Sequence, residues 1–290
     1  MDRCESQGEM RQFRALDLYC GAGGATKGLQ RAGFHVTGVD IKPQKRYCGD
    51  SFIEADALSF LDWPDQCDFI WASPPCQAHS ALRSLHPGRE YLDLIPETRR
   101  RLVESGIPYV IENVPGAPLG ETGCLIMLCA TMFGLQTKDG TGEVRRHRLF
   151  ECSFSIPLRP ACQHNQPVVG VYGGHVRDRR RDVICIGGGK AMSGGMMAPK
   201  GATHRETMSV TGNGMGQMGG GRDVISICGH SGPGTFSSKG QRRRTWTTEQ
   251  AREAMGIDWM PMSSLSQAVP PAYSEWIGRK AIEFLEASNG

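Results

Sequence analysis

Short apolar runs recur through the first 113 residues, and each ends on a polar or glycine-rich turn. Residues 15–19 (ALDLY) predict a first strand, followed by the turn Cys20-Gly21-Ala22-Gly23-Gly24. A helix is predicted over about 25–32, stopped by Gly33 as a C-terminal glycine signal. Residues 34–39 make a second strand ending on Asp40, and residues 51–55 a third ending at Asp56. Residues 67–72 are the fourth. Residues 98–105 read as helix, and 109–111 as a fifth strand ending on Glu112-Asn113. Strands alternating with helices predict an α/β fold with a mostly parallel, doubly wound sheet. Polar residues at the C-termini of such strands mark the ligand crevice.

The pattern changes after about residue 152. Three pieces, VGVYGGH (169–175), VICIGGG (183–189) and VISICGH (224–230), each read as a brief strand running into a glycine turn. They predict a small, irregular β-rich module, with either a degenerate repeat or a chance likeness within a Gly-rich stretch. Regular patterning then returns. Thr247 and Gln250 fit a capping box, followed by a helix to about Met255 and a stop at Gly256. Pro270-Pro271 begins a last helix whose Ala272, Trp276, Ile277, Ala281, Phe284 and Leu285 form a core-facing stripe. The expected organisation is a body of residues 1–152 and 244–290, interrupted by an inserted domain over 153–243.

Charge sharpens this division. Residues 159–244 hold 13 Lys/Arg against 4 Asp/Glu, and 19 of the 38 glycines. The rest of the chain holds 20 basic and 26 acidic residues. Positive charge confined to one segment is the footprint of a polyanion partner, or else a solvated basic surface. At 39% hydrophobic and 22% charged residues the chain is globular in composition. No apolar run approaches the roughly 18 residues that span a bilayer, so no membrane association is expected. The polar start, MDRCESQGEM, carries no apolar signal core. Eleven cysteines without paired spacing then suit reduced thiols better than a disulfide framework. Cys152, Cys162 and His164 lack CxxC-type spacing, and no metal is expected.

Three features could carry chemistry. The turn after the first strand, Asp17-x-x-x-Gly21-x-Gly23-Gly24, allows close backbone approach of a ligand, but Thr26 stands where a dinucleotide fingerprint has its last glycine. Asp40 and Asp56 at the next strand ends suit ribose hydroxyls and a purine amine. Turn glycines with helix-capping aspartates are the bland alternative. Cys76 follows Ser73-Pro74-Pro75. A free cysteine is usually a small core residue. Two prolines fix the backbone, however, and present the next side chain rigidly at the sheet edge. One strand further on, Glu112-Asn113-Val114-Pro115 offers a carboxylate within reach of the same substrate.

The segments DLYCGAGG, GVD, SPPCQ, ENVPG, RRHRLFE, TTEQAREAMGI and SQAVPPAYSEWIGRKA, in this order, resemble the cytosine-C5 DNA methyltransferase family of prokaryotic or phage type. The likeness covers residues 14–152 and 244–286, and the insert falls where that family carries its target recognition domain. The resemblance implies a Rossmann-like, S-adenosylmethionine-dependent methyltransferase fold. It implies Cys76 as the nucleophile on C6 of a flipped cytosine in double-stranded DNA, with Glu112 at N3 and Asn113 holding the loop. It also implies Arg148 at the base O2 or the carboxylate, with Arg146 either catalytic or structural. The implied cofactor residues are Asp17, Tyr19, Gly21, Gly23, Gly24, Asp40, Ile41, Asp56, Ala57, Pro74, Gln267, Ala268 and Val269.

Gln77, Ser80 and Arg83, in or beside a mobile loop over 78–95, are implied on DNA. By their charge runs, Arg177, Arg179, Arg180, Arg181, Arg242 and Arg243 are expected on phosphates, with a merely solvated basic run as the alternative. The expected enzyme acts as a monomer on DNA in the cytoplasm of a prokaryotic or phage-infected cell. Transfer to RNA, and a non-catalytic DNA-binding relative, are the alternatives. Two departures stand out. Val144 replaces the family's usual Gln, and Gln267 replaces its usual Asn near the methionine part of the cofactor. The longer Gln267 is either tolerated or alters preference, for example towards a modified S-adenosylmethionine.

Overall fold

The structure, a computed structural model, describes residues 11–60, 67–79, 90–156, 159, 161–171, 184–186, 225–227 and 246–289. The body is built on a seven-stranded sheet with strand order β3-β2-β1-β4-β5-β7-β6. The strands are β1 (Arg14–Leu18), β2 (His35–Asp40), β3 (Ser51–Glu54), β4 (Phe69–Ala72), β5 (Tyr109–Asn113), β6 (Cys124–Leu128) and β7 (Arg148–Cys152). The first five pair in parallel, while β7 runs antiparallel to both β5 and β6. The sequence pattern anticipated the five parallel strands within one to two residues at each end. It did not anticipate β6 or β7.

Two apolar layers sandwich the sheet. Ala15, Val36, Phe69, Trp71 and Val110 face α1 (Gly24–Ala32), α4 (Thr248–Met255) and α6 (Pro271–Asn289). Leu16, Leu18, Val39, Ile70, Ala72 and Ile111 face α2 (Ala57–Phe60) and α3 (Ile95–Ser105). Burial of alternate residues on opposite faces explains why these strands read as nearly continuous apolar runs. α3 begins earlier than its pattern suggested, because Pro96 occupies the first turn, where a missing N–H costs nothing. A turn of 3-10 helix (Ala130–Phe133) and the short α5 (Met262–Leu265) complete the body.

Helix ends follow the chemistry of their sequence. Gly33 and Gly256 close α1 and α4 in the left-handed region, at φ 119° and 66°. The Thr247–Gln250 capping box forms reciprocally, at 3.1 and 3.0 Å. The C-terminal helix returns to the body by very close packing. A Cβ on Gly28 would lie 2.0 Å from the Pro271 carbonyl oxygen, and the Ser274 hydroxyl donates to the Ala25 carbonyl at 2.8 Å. Arg99 on α3 and Glu151 on β7 form a buried pair, joined at 2.8 and 3.0 Å.

The second and third repeated pieces hold the expected brief strands, β8 (Ile184–Ile186) and β9 (Ile225–Ile227), which form an antiparallel pair. The first piece is corrected. Its described part, 169–171, is not a strand, because the preceding Val168 makes only an isolated bridge to Glu143. No described helix is long and apolar enough to cross a membrane.

Candidate active site

The Ser73-Pro74-Pro75-Cys76 turn leaves the C-terminal end of β4, and Glu112-Asn113 ends the adjacent β5. Strand pairing alone therefore brings the thiol and the carboxylate to one sheet edge. The turn is fixed from three sides. Ser73 donates its backbone N–H to Leu18 at 3.1 Å, and the Trp71 indole donates to the Ser73 hydroxyl at 3.0 Å. The Asn113 amide donates to the Pro74 carbonyl at 2.9 Å, and its own oxygen accepts from the Val114 N–H at 2.9 Å. Asn113 is thus a tie between the two strand-end loops.

The antiparallel β7 completes the cluster. Its first residue lies at the same edge as the parallel strands' last residues, so Arg148 meets Glu112 with Nε to Oε1 at 3.0 Å. Glu112 is buried, and burial raises its pKa, opposed by the charges of Arg148 and Arg146 and by a hydrogen bond from Ser73. Cys76 is half-buried. Burial raises the thiol pKa too; Arg148 and Arg146 lower it, and Glu112 raises it. This is a thiol beside a carboxylate that an arginine steadies, a combination suited to nucleophilic attack coupled to proton donation.

Arg146 is held by backbone carbonyls while its charge acts on both Cys76 and Glu112. It is buried, and it donates to the backbone carbonyls of Val171 at 3.0 Å and Ser266 at 2.7 Å. Its own carbonyl accepts from the Tyr273 hydroxyl. Arg146 therefore joins the body, the root of the insert and the C-terminal segment. Val144, two residues before it, is an apolar core residue.

The cofactor residues divide by exposure. Gly21 is open: a Cβ there, at φ 50°, would meet nothing within 4 Å. Its N–H donates to the Asp40 carboxylate at 3.0 Å, which also accepts from Lys42 N–H at 2.9 Å. Ile41 next to it is 68% exposed, an apolar surface at the end of β2. Tyr19 is the one non-glycine residue at positive φ among those described, at 60°, a conformation costing about 1–2 kcal/mol. Its hydroxyl is 2.9 Å from that of Thr98. A strained backbone, an open glycine and a strand-end carboxylate thus lie together at the ends of β1 and β2, groups that could hold an adenosine-type cofactor without phosphate contacts.

The other members support this rim from behind. Asp17 is fully buried and accepts from Thr26; burial raises its pKa to about 7 against that hydrogen bond. Gly23 and Gly24 give no open approach, because added Cβ atoms would lie 2.7 Å from Cys48 Sγ and 2.5 Å from the Val269 carbonyl oxygen. Gly24 instead admits the C-terminal segment, with Ala268 half-buried, Val269 buried and Gln267 exposed. Asp56 accepts from Leu58 N–H at 3.0 Å and starts α2, whose first residue Ala57 is buried. Pro74 is buried, and Gln77 is exposed beside the thiol. Ser80, Arg83, Arg177, Arg179, Arg180, Arg181, Arg242 and Arg243 lie outside the described residues, as does most of the 78–95 loop.

The three residues Cys152, Cys162 and His164, read as lacking metal-site spacing, do not lie together. Cys152 is buried in β7, whereas Cys162 and His164 converge with Cys129 and His147. Spacing along the chain could not reveal this set, because a sheet edge and a returning loop assemble it.

A parallel five-strand core extended by an antiparallel pair, with Cys76 and Glu112 near the strand C-termini, is a Rossmann-like arrangement. Residues 13–118, a segment that holds both Cys76 and Glu112, match the family described as C-5 cytosine-specific DNA methylase. Among solved structures, the chain is similar to a DNA modification methyltransferase described as encoded within an E. coli prophage. That match has 16% identity and a TM-score of 0.49, covering 95% of this chain and 99% of the other. It is also similar to the S. pombe Dnmt2 methyltransferase, at 15% identity and a TM-score of 0.44, covering 97% and 100%. A SAM-dependent methyltransferase from Agrobacterium tumefaciens matches at 17% identity and a TM-score of 0.32, covering 49% and 56%. No curated protein matches in sequence.

Proposed function

We propose that the protein is a DNA (cytosine-5)-methyltransferase that acts on a flipped cytosine in duplex DNA through a covalent Cys76 adduct. The observation that carries this reading is the Glu112–Arg148 ion pair beside Cys76 at adjoining strand ends. S-adenosylmethionine, when bound at the crevice of Gly21, Asp40 and Ile41, supplies the methyl group. A modified methyl donor rests on Gln267 alone.

The sulfur of Cys76, as thiolate, bonds to C6 of the cytosine. Electron density then moves to C5, which is otherwise a poor nucleophile. Glu112 shares its proton with N3, so negative charge does not accumulate on the ring. Arg148 holds the Glu112 carboxyl in place, and its charge favours the thiolate of Cys76. Once C5 carries the methyl group, loss of the C5 proton to a base re-forms the C5–C6 double bond and expels the Cys76 thiolate. A stacked base is out of reach of a thiol at the sheet edge, so the cytosine must be extruded. The basic residues of the 159–244 segment would neutralise phosphates, giving an affinity that falls with salt.

Bisulfite sequencing of DNA from cells expressing the protein is the decisive experiment. Cytosines protected in one sequence context support the proposal. Labelled methyl transfer to tRNA in preference to duplex DNA would replace the substrate. Failure to transfer methyl to either substrate, together with failure to form an adduct on 5-fluorocytosine DNA, would leave a non-catalytic relative.

A further inference from the structure

We propose that Cys129, His147, Cys162 and His164 form a metal site that takes a divalent cation of the zinc class and fastens the root of the insert to the sheet edge. Each residue offers one ligand atom, and all four atoms lie within 4.8 Å of one another. The donors are two thiols and two imidazoles, the mixed set that zinc prefers in structural sites. Metal–ligand bonds of about 2.0–2.3 Å at tetrahedral angles place ligand atoms roughly 3.3–3.8 Å apart. Cys129 Sγ lies 3.4 Å and Cys162 Sγ 2.8 Å from His164 Nε2, and Cys162 Sγ lies 3.6 Å from His147 Nε2. Two of these edges have tetrahedral length, and the third needs only a small outward adjustment. The two rings stand at 88° with centroids 5.3 Å apart, so both Nε2 atoms reach the cluster without the rings competing for space.

The arrangement is built by elements that do not need the ion. The β6–β7 register pairs Leu128 with Arg148, so Cys129 and His147, one step beyond, meet across the hairpin. The arm carrying Cys162 and His164 is brought back by Glu143, whose carboxylate accepts the N–H groups of Asn165 and Gln166, both at 3.1 Å. Its carbonyl accepts from Val169 at 2.8 Å. The Thr131 hydroxyl lies 3.2 Å from Cys129 Sγ and 3.7 Å from Cys162 Sγ, placed to hydrogen-bond a ligating thiolate. A scatter of surface cysteines and histidines would not converge from three segments onto one buried sulfur. A cation there cross-links the end of β6, the start of β7 and the arm that leads into the insert. Because His147 sits between Arg146 and Arg148, the clasp also fixes the start of β7, from which Arg148 reaches Glu112. The inference rests on this geometry and stands apart from the proposed reaction.

The test uses the full chain, purified under reducing conditions, loaded with zinc and exchanged into metal-free buffer. The expected result is one zinc per chain by plasma mass spectrometry. Cobalt(II) in its place should give thiolate charge-transfer bands and the intense visible bands of a tetrahedral ion. Cys162→Ser and His164→Ala, both at exposed positions, should weaken zinc binding more than about 100-fold with the circular dichroism retained, while Cys124→Ser keeps it. In the unmutated protein, zinc should protect two thiols from maleimide. Substoichiometric zinc, the pale spectrum of octahedral cobalt, full retention by Cys162→Ser, or no protection of thiols would each overturn the proposal.

Discussion

Arg148 Nε lies 3.0 Å from Glu112 Oε1, and the charges of both act on Cys76. The contact depends on strand direction. Had β7 run parallel to β5, Arg148 would start at the opposite edge of the sheet. Its guanidinium acts on both reactive groups, lowering the pKa of the thiol and of the carboxyl that burial raises.

The pH profile should report this. With Cys76 attacking as thiolate, kcat/KM rises with pH towards the raised thiol pKa; with Glu112 donating a proton, it falls above the raised carboxyl pKa. Arg148→Gln removes a charge that lowers both, so both limbs move to higher pH. Methyl transfer to duplex DNA across a pH series checks it, and limbs that stay in place would separate Arg148 from the chemistry.

Cys76→Ser should reduce turnover on the order of 10³-fold or more and abolish the adduct with 5-fluorocytosine DNA on a denaturing gel. Glu112→Gln should cost about 10²–10⁴-fold in kcat while leaving DNA binding nearly intact. Normal turnover by the serine variant would return Cys76 to the role of loop filler.

Asn113→Ala removes the amide that ties the Pro74 carbonyl. An unmet buried acceptor costs about 1–3 kcal/mol, and a loosened thiol loop lowers kcat more than it alters KM for DNA. Denaturant melts and steady-state kinetics on the same preparation distinguish the two effects.

Asp17 makes stability pH-dependent. Its folded pKa of about 7 lies above the ordinary 3.8, so the folded state holds a proton that the unfolded chain has released. The resulting stabilisation is complete below about pH 4 and is lost as pH rises through about 7, a change on the order of 4 kcal/mol. Asp17→Asn, whose oxygen can still accept from Thr26, should remove this slope and be the more stable protein at pH 8. Denaturation midpoints of both proteins at pH 5 and pH 8 measure it, and parallel slopes would refute it.

Gly28→Ala should destabilise the body by about 2–4 kcal/mol, because the new methyl would lie 2.0 Å from a backbone oxygen of α6 that cannot move alone. Breaking the Arg99–Glu151 pair with Arg99→Met should cost about 3–5 kcal/mol by leaving a buried carboxylate without its cation. Thermal melts check both substitutions.

The sequence by itself determined what depends on near neighbours. Apolar runs placed β1 to β5, the Thr247–Gln250 pair began α4, and Gly33 and Gly256 ended their helices, because each signal acts within a few residues of backbone. It also marked Cys76 and Glu112, since parallel strands of one sheet necessarily end at a common edge. The tertiary structure decided which residues of each motif face the crevice. Gly21 is open, while Gly23 and Gly24 pack against Cys48 and Val269, segments distant in the chain. It also gave Arg146 hydrogen bonds to Val171 and Ser266, residues far apart in the chain. Antiparallel pairing of β7 with β5 brought Arg148 to Glu112, while its pairing with β6 and the return of the 161–169 arm gathered Cys129, His147, Cys162 and His164 at one place. Sheet register and loop return are settled by burial across the whole fold, a quantity that no local spacing encodes.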